Sequence, residues 1–176
     1  VNLDDILNEF NESISKSKFI IGHNVNFDLN VIGCEFYRSG LASNIELTDV
    51  LDTCTELTAE LCKLPGGRGG KFKLPTLTEL HEFLFSSPFQ DAHNASADVE
   101  ATARCFLELI RIKNFKKDQL QVQDDYFEKF IQNNPSNQSL SRMFFHSSSV
   151  LLTFCLPISE IGSSISCSTR HSWNVG

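Results

Sequence analysis

The chain has 176 residues, 41% of them hydrophobic, with a formal charge of −7 and six cysteines. That length suits one ordinary domain plus a tail, able to bury enough apolar surface without disulfides or structural zinc. The acidic balance argues against a protein that holds nucleic acid by bulk electrostatics, but a metal enzyme with a carboxylate site remains open. Cys34, Cys54, Cys62, Cys105, Cys155 and Cys167 form no C-x-x-C pair, so they read as reduced thiols of a cytoplasmic protein. No signal-peptide pattern follows Val1. The longest uncharged apolar run, Val150 to Ile158, falls well below the ~20 residues that span a bilayer, and no membrane partner is expected.

Leu3, Ile6, Leu7, Phe10 and Ile14 recur at helical spacing, behind Asp4 and Asp5 in the first turn. Phe19-Ile20-Ile21 predicts a short strand buried on both faces. Gly22 turns the chain into a helix from about Asn26 to Ser39, stopped by Gly40. Val50-Leu51 is a second, weaker strand candidate. Thr53 and Glu56 have capping-box spacing and open a helix to about Leu61. PGGRGG, Pro65 to Gly70, is a loop. Thr76 and Glu79 form another capping box, with Leu77, Leu80 and Leu84 as the buried stripe and His81 a structural residue. Val99, Thr102, Ala103, Phe106, Leu107 and Ile110 predict a long helix ending near Ile112.

Strands alternating with helices predict an α/β domain. Two strands are too few for a stable sheet, so residues 1–112 are expected to be part of a domain whose amino-terminal strands precede Val1. Residues 113–135 read as a charged helix-then-linker, with Tyr126, Phe127 and Phe130 on a short helix. From 136 to 176 serine is frequent and Glu160 is the only acid. That tail is expected to be disordered or not the natural continuation of the reading frame.

Two short strings carry the chemistry. HNVNFD at 23–28 and HNASADVEAT at 93–102 each place an aspartate, Asp28 or Asp98, near a helix start. Carboxylate oxygens suit hard cations such as Mg²⁺ or Mn²⁺, and two such ions ~4 Å apart can stabilise the attacking and leaving oxygens of a phosphoryl displacement. Asp28 and Asp98 are therefore the metal-ligand candidates, although either also serves simply as a first-turn acid. His93, in the loop before the last helix, suits a base that takes a proton from metal-bound water. His23 and Asn24 lie beside Asp28, where they can touch substrate or support the ligands. Phe27 reads as a core residue, with base stacking the alternative. In KLPGGRGGKFK (63–73), Lys63, Arg68, Lys71 and Lys73 punctuate the glycines; the segment is either a flexible basic flap that grips a nucleic-acid backbone or a plain solvated loop. It lacks P-loop spacing, and neither G-x-S-x-G nor H-E-x-x-H occurs.

The two strings resemble the second and third motifs of the DEDD superfamily of 3′–5′ exonucleases, the DnaQ-like proofreading nucleases, in the subgroup that uses histidine. The likeness covers most of residues 1–112. It is closer still to the exonuclease domain associated with bacterial DNA polymerase III polymerase-subunit proteins, with the YFEKFIQNNP segment similar to the linker after that domain. The resemblance implies a ribonuclease H-like fold, a mixed sheet flanked by helices. It also implies two-metal hydrolysis of a DNA 3′ end beside a polymerase III polymerase subunit, in cis or in trans. Asp28 and Asp98 would ligate the ions and His93 would act as general base; on the flap reading of the glycine loop, Arg68 and Lys71 would contact substrate. The family's first motif, a strand-borne Asp-x-Glu, is missing, because the only Asp-x-Glu is Asp98-Val99-Glu100. The chain as it stands is thus expected to be inactive. An RNA-trimming relative and a non-catalytic docking module are the alternatives.

Overall fold

The computed structural model describes residues 2–89, 95–122 and 125–136, together with the backbone of 154–157. The described residues form a mixed α/β structure. Helix α1 (Leu3–Ser15) opens on Asn2, whose side chain accepts from the Asp4 backbone N–H, and buries Leu7, Phe10 and Ile14. Strand β1 (Ser17–Gly22) follows, then α2 (Val25–Ser39), which ends on Gly40 in the left-handed region at φ 65°. Strand β2 (Asp49–Asp52) lies parallel to β1, pairing Phe19 with Asp49 and Gly22 with Asp52. The carboxyl ends of both strands therefore finish level.

Along β1 side chains alternate between the sheet faces, and this alternation organises the whole core. Ile20 packs with Leu7, Phe10, Ile14, Val25 and Phe36 of α1 and α2. Phe19 and Ile21 pack on the other side, with Leu51, Leu80 and the buried face of α5 (Ala95–Arg111). Helices thus cover both faces of the sheet, which is why Ile20 and Ile21 are both 0% exposed. Gly22 is required where β1 meets α2, because an added Cβ would lie 2.8 Å from the Val25 side chain.

Several local expectations shift. The capping box of α3 (Glu56–Cys62) is Thr55 with Thr58 rather than Thr53 with Glu56. Thr53 is buried and its hydroxyl lies between the Gly22 carbonyl, at 3.0 Å, and His23 Nδ1, at 2.9 Å, so that side chain is committed to the end of β1. The Thr76–Glu79 box does form, at the start of α4 (Leu77–Phe85). Phe27 is 66% exposed instead of core, because α2 turns Val25, Leu29, Ile32 and Phe36 inward, and at 100° per residue Phe27 falls outside that stripe.

The stretch expected as a linker folds onto the domain. Phe115, Leu120 of α6 (Lys117–Leu120), and Phe127 and Phe130 of α7 (Tyr126–Asn133) join the core around α5. The charges that suggested a linker lie on the outer face, as in the Lys113–Glu128 ion pair. Within the serine-rich tail, residues 154–157 form β3 (Phe154–Pro157), antiparallel to the free edge of β1, giving the order β2-β1-β3. The rest of the tail lies outside the described residues. Among the described residues no helix is long and apolar enough to cross a membrane, and Cys34, Cys54, Cys62 and Cys105 are free thiols.

Candidate functional site

The polar residues of HNVNFD gather where β1 and β2 end, the position at which open parallel sheets generally bind ligands. Its organiser is Asp52, the last residue of β2. One carboxylate oxygen accepts from the Asn24 and Cys54 backbone N–H groups, both at 2.8 Å, and the other from Val25 N at 3.2 Å. The first residues of α2 are thus capped from a neighbouring strand, and no side-chain cap of their own is present at Asn24, which sits at φ 59°. Asparagine tolerates this left-handed conformation better than most residues.

Asp28 lies one turn into α2, half-buried. Burial raises its carboxyl above the ordinary carboxylate range, and the negative charge of Asp52 raises it further. A carboxyl in that condition gains from a nearby cation. Cys54, beside Asp52, has its thiol pushed up to about 11 by burial and by the same carboxylate. It is therefore protonated at neutral pH and a poor nucleophile.

His23 is held from both sides. Its Nε2 lies 3.0 Å from the Pro75 carbonyl and its Nδ1 2.9 Å from Thr53 Oγ1. A carbonyl can only accept, so Nε2 carries the hydrogen. Burial lowers the affinity of the ring for a second proton, outweighing the Pro75 bond and Asp52. With both nitrogens engaged inside the protein, His23 pins the β1–α2 turn to the segment before α4 and keeps no free nitrogen for a substrate. Exposed Asn24 and Phe27, by contrast, remain accessible at the rim.

Asp98 stands in the first turn of α5, the helix that packs behind β1. His93 lies outside the described residues. Among the described residues, no three His, Cys, Asp or Glu side chains come close enough to hold a metal ion. Asp52, the carboxylate nearest in effect to Asp28, is already engaged by three backbone donors. The described donor set therefore falls short of a two-ion centre.

Arg68 and Lys71 lie in a different place, on a groove of about 560 Å³ between α3 and the glycine loop. The glycines have local reasons. An added Cβ at Gly67 would sit 2.3 Å from the Lys71 carbonyl, and Gly66, Gly69 and Gly70 all have positive φ. Lys71 pairs with Glu56 and Lys73 with Glu79. Lys63 and Arg68 are exposed and make no ion pair among the described residues, and of the two only Arg68 lines the groove.

No protein-family model, curated protein or solved structure matches this chain. Asp52 belongs to neither of the two strings. The sequence signal for its role is its place directly after the strand candidate Val50-Leu51.

Proposed function

We propose that residues 1–112 carry part of a metal-dependent 3′–5′ exonuclease domain of the ribonuclease H-like type, acting on a DNA 3′ end for a DNA polymerase III polymerase subunit. The observation that carries the reading is the placement of HNVNFD. Its aspartate lies at the carboxyl ends of two parallel strands, raised by burial and by a second carboxylate. The order of the two histidine–aspartate strings along the chain adds to it. In this reading Asp28 and Asp98 ligate Mg²⁺ or Mn²⁺ only when further carboxylates join them, and His93 is the base. The bound ions would supply positive field at the scissile phosphate. This chain's own part is to orient Asp28 through Asp52, to pin the turn through His23, and to offer Asn24 and Phe27 at the rim.

The test is trimming of a mismatched primer, in Mg²⁺, by the protein encoded in the whole natural reading frame. Asp98→Asn should abolish trimming, and His93→Ala should slow it by about 10²–10⁴, the range of acid–base catalysis. Trimming at the unmodified rate by Asp98→Asn would refute the ligand assignment. Faster cleavage of RNA than of DNA oligonucleotides would move the substrate to RNA. The commitment of Asp52 to three backbone N–H groups favours one second reading, a non-catalytic docking module. Under that reading calorimetry should detect no binding of Mg²⁺ or Mn²⁺ at millimolar concentrations.

A further inference from the structure

The groove between α3 and the glycine loop is lined chiefly by apolar surface. Leu57, Phe72 and Leu74 meet there and remain 43%, 37% and 48% exposed. Three large apolar side chains left open in one groove, beside a charged rim, mark a surface that receives a partner.

The rim charges narrow the choice of partner. Three cations line the groove, and two of them are already matched, Lys71 by Glu56 and Lys73 by Glu79. Glu60 lines it too, and its charge adds to the Glu56 hydrogen bond in holding the Lys71 ammonium above its ordinary value. A nucleic-acid backbone is held by cations free to neutralise successive phosphates, which this rim does not offer. Of the three, only Arg68 makes no ion pair among the described residues. One negative charge is therefore accommodated, on the loop side.

The backbone of the loop wall supplies a second observation. Lys71 is extended, at φ −80° and ψ 165°. The Lys71 and Lys73 N–H groups donate inside the loop, to the Arg68 and Leu64 carbonyls. Between and after them, the Phe72 and Leu74 N–H groups have no acceptor among the described residues. Donors alternately used and unused are the pattern of a strand edge, to which an extended peptide can add.

We propose that this groove takes an extended segment of a partner protein, in which a leucine or phenylalanine lies within two residues of an aspartate or glutamate. The segment accepts from Phe72 N and Leu74 N, its apolar side chain packs between Leu57 and Leu74, and its carboxylate meets Arg68. The site lies apart from the strand-end residues and stands whether or not the chain belongs to a nuclease.

The experiment is selection of phage-displayed random octapeptides on the full chain, followed by fluorescence anisotropy with the labelled consensus peptide. The consensus should pair a large apolar residue with an acid. Arg68→Gln should weaken it roughly tenfold, the size of one charge-assisted bond. A peptide with the acid replaced by its amide should lose as much, and lose nothing further on Arg68→Gln. Leu57→Ser should weaken both peptides by about tenfold or more. Both variants change exposed side chains, and Arg68→Gln carries the test if Leu57→Ser melts lower. The amides of Phe72 and Leu74 should exchange freely in the unbound chain and become protected when peptide binds. The proposal is overturned if no peptide is enriched, if the consensus lacks an acid, if Arg68→Gln leaves the affinity unchanged, or if those two amides stay unprotected. Displacement of the peptide by an equimolar thymidine oligonucleotide would overturn it as well and give the groove to nucleic acid.

Discussion

Replacing Asp52 by alanine removes the one carboxylate that accepts from Asn24 N, Val25 N and Cys54 N. Loss of an N-cap typically costs about 1 kcal/mol, within a range of about 0.5–2. Bonds to a charged acceptor contribute more than neutral ones, about 1.5–3 kcal/mol. The site is half-buried, so water can reach some of the freed donors and the contributions do not add in full. A loss of about 2–3 kcal/mol for Asp52→Ala is the working value. Asp52→Asn keeps an acceptor oxygen but loses the charge and should cost about 1 kcal/mol. Urea denaturation followed by circular dichroism measures both, provided the m-value is unchanged. In the folded Asp52→Asn protein, NMR titration should show the Asp28 carboxyl moving down toward the ordinary range. It should not reach that range, because burial is the larger cause of its displacement. A midpoint for Asp52→Ala equal to that of the unmodified chain would refute the idea that β2 caps α2. An unmoved Asp28 would refute the electrostatic coupling between the two carboxylates.

Asp28 itself disfavours folding once ionised. Its folded-state carboxyl lies above the unfolded value of 3.8, so stability is lost as pH rises through that window. Asp28→Asn should therefore raise the melting temperature at pH 7 in the absence of divalent cations, with the gain vanishing below pH 3.8. The two buried histidines act in the opposite direction. His23 and His81 are both lowered below 6.5 by burial, so the unfolded chain binds more protons between their folded values and 6.5. The histidine contribution should be constant above about pH 7 and fall on acidification below 6.5. His81→Phe should flatten part of that slope in urea titrations at stepped pH. Gly67→Ala should cost about 1–3 kcal/mol, since the loop must open to relieve a 2.3 Å contact; Gly33→Ala, with open space at its Cβ, is the matched control and should be neutral or stabilising.

The helices and the two parallel strands were legible because their signals are local. Leu7, Phe10 and Ile14 repeat along one face of α1, and Thr76 with Glu79 announces the start of α4. Thr53 misled because its hydroxyl sits between Gly22 and His23, residues brought alongside only by strand pairing. The burial of Phe115, Phe127 and Phe130 was obscured by the charged residues between them, which say nothing about what the aromatic face meets. At the strand ends the sequence pointed to Asp28, but the engagement of both nitrogens of His23 depends on Thr53 and Pro75, distant along the chain.

The position of β1 between two helical layers makes residue parity in this short strand consequential. A one-residue insertion between Lys18 and Gly22 would send Ile20's successor into the wrong layer and exchange the contents of both at once. Single truncations there would report selectively: Ile20→Ala should loosen amide protection in α1 and α2, and Ile21→Ala in α4 and α5. Two adjacent positions thus offer separate handles on the two halves of the molecule.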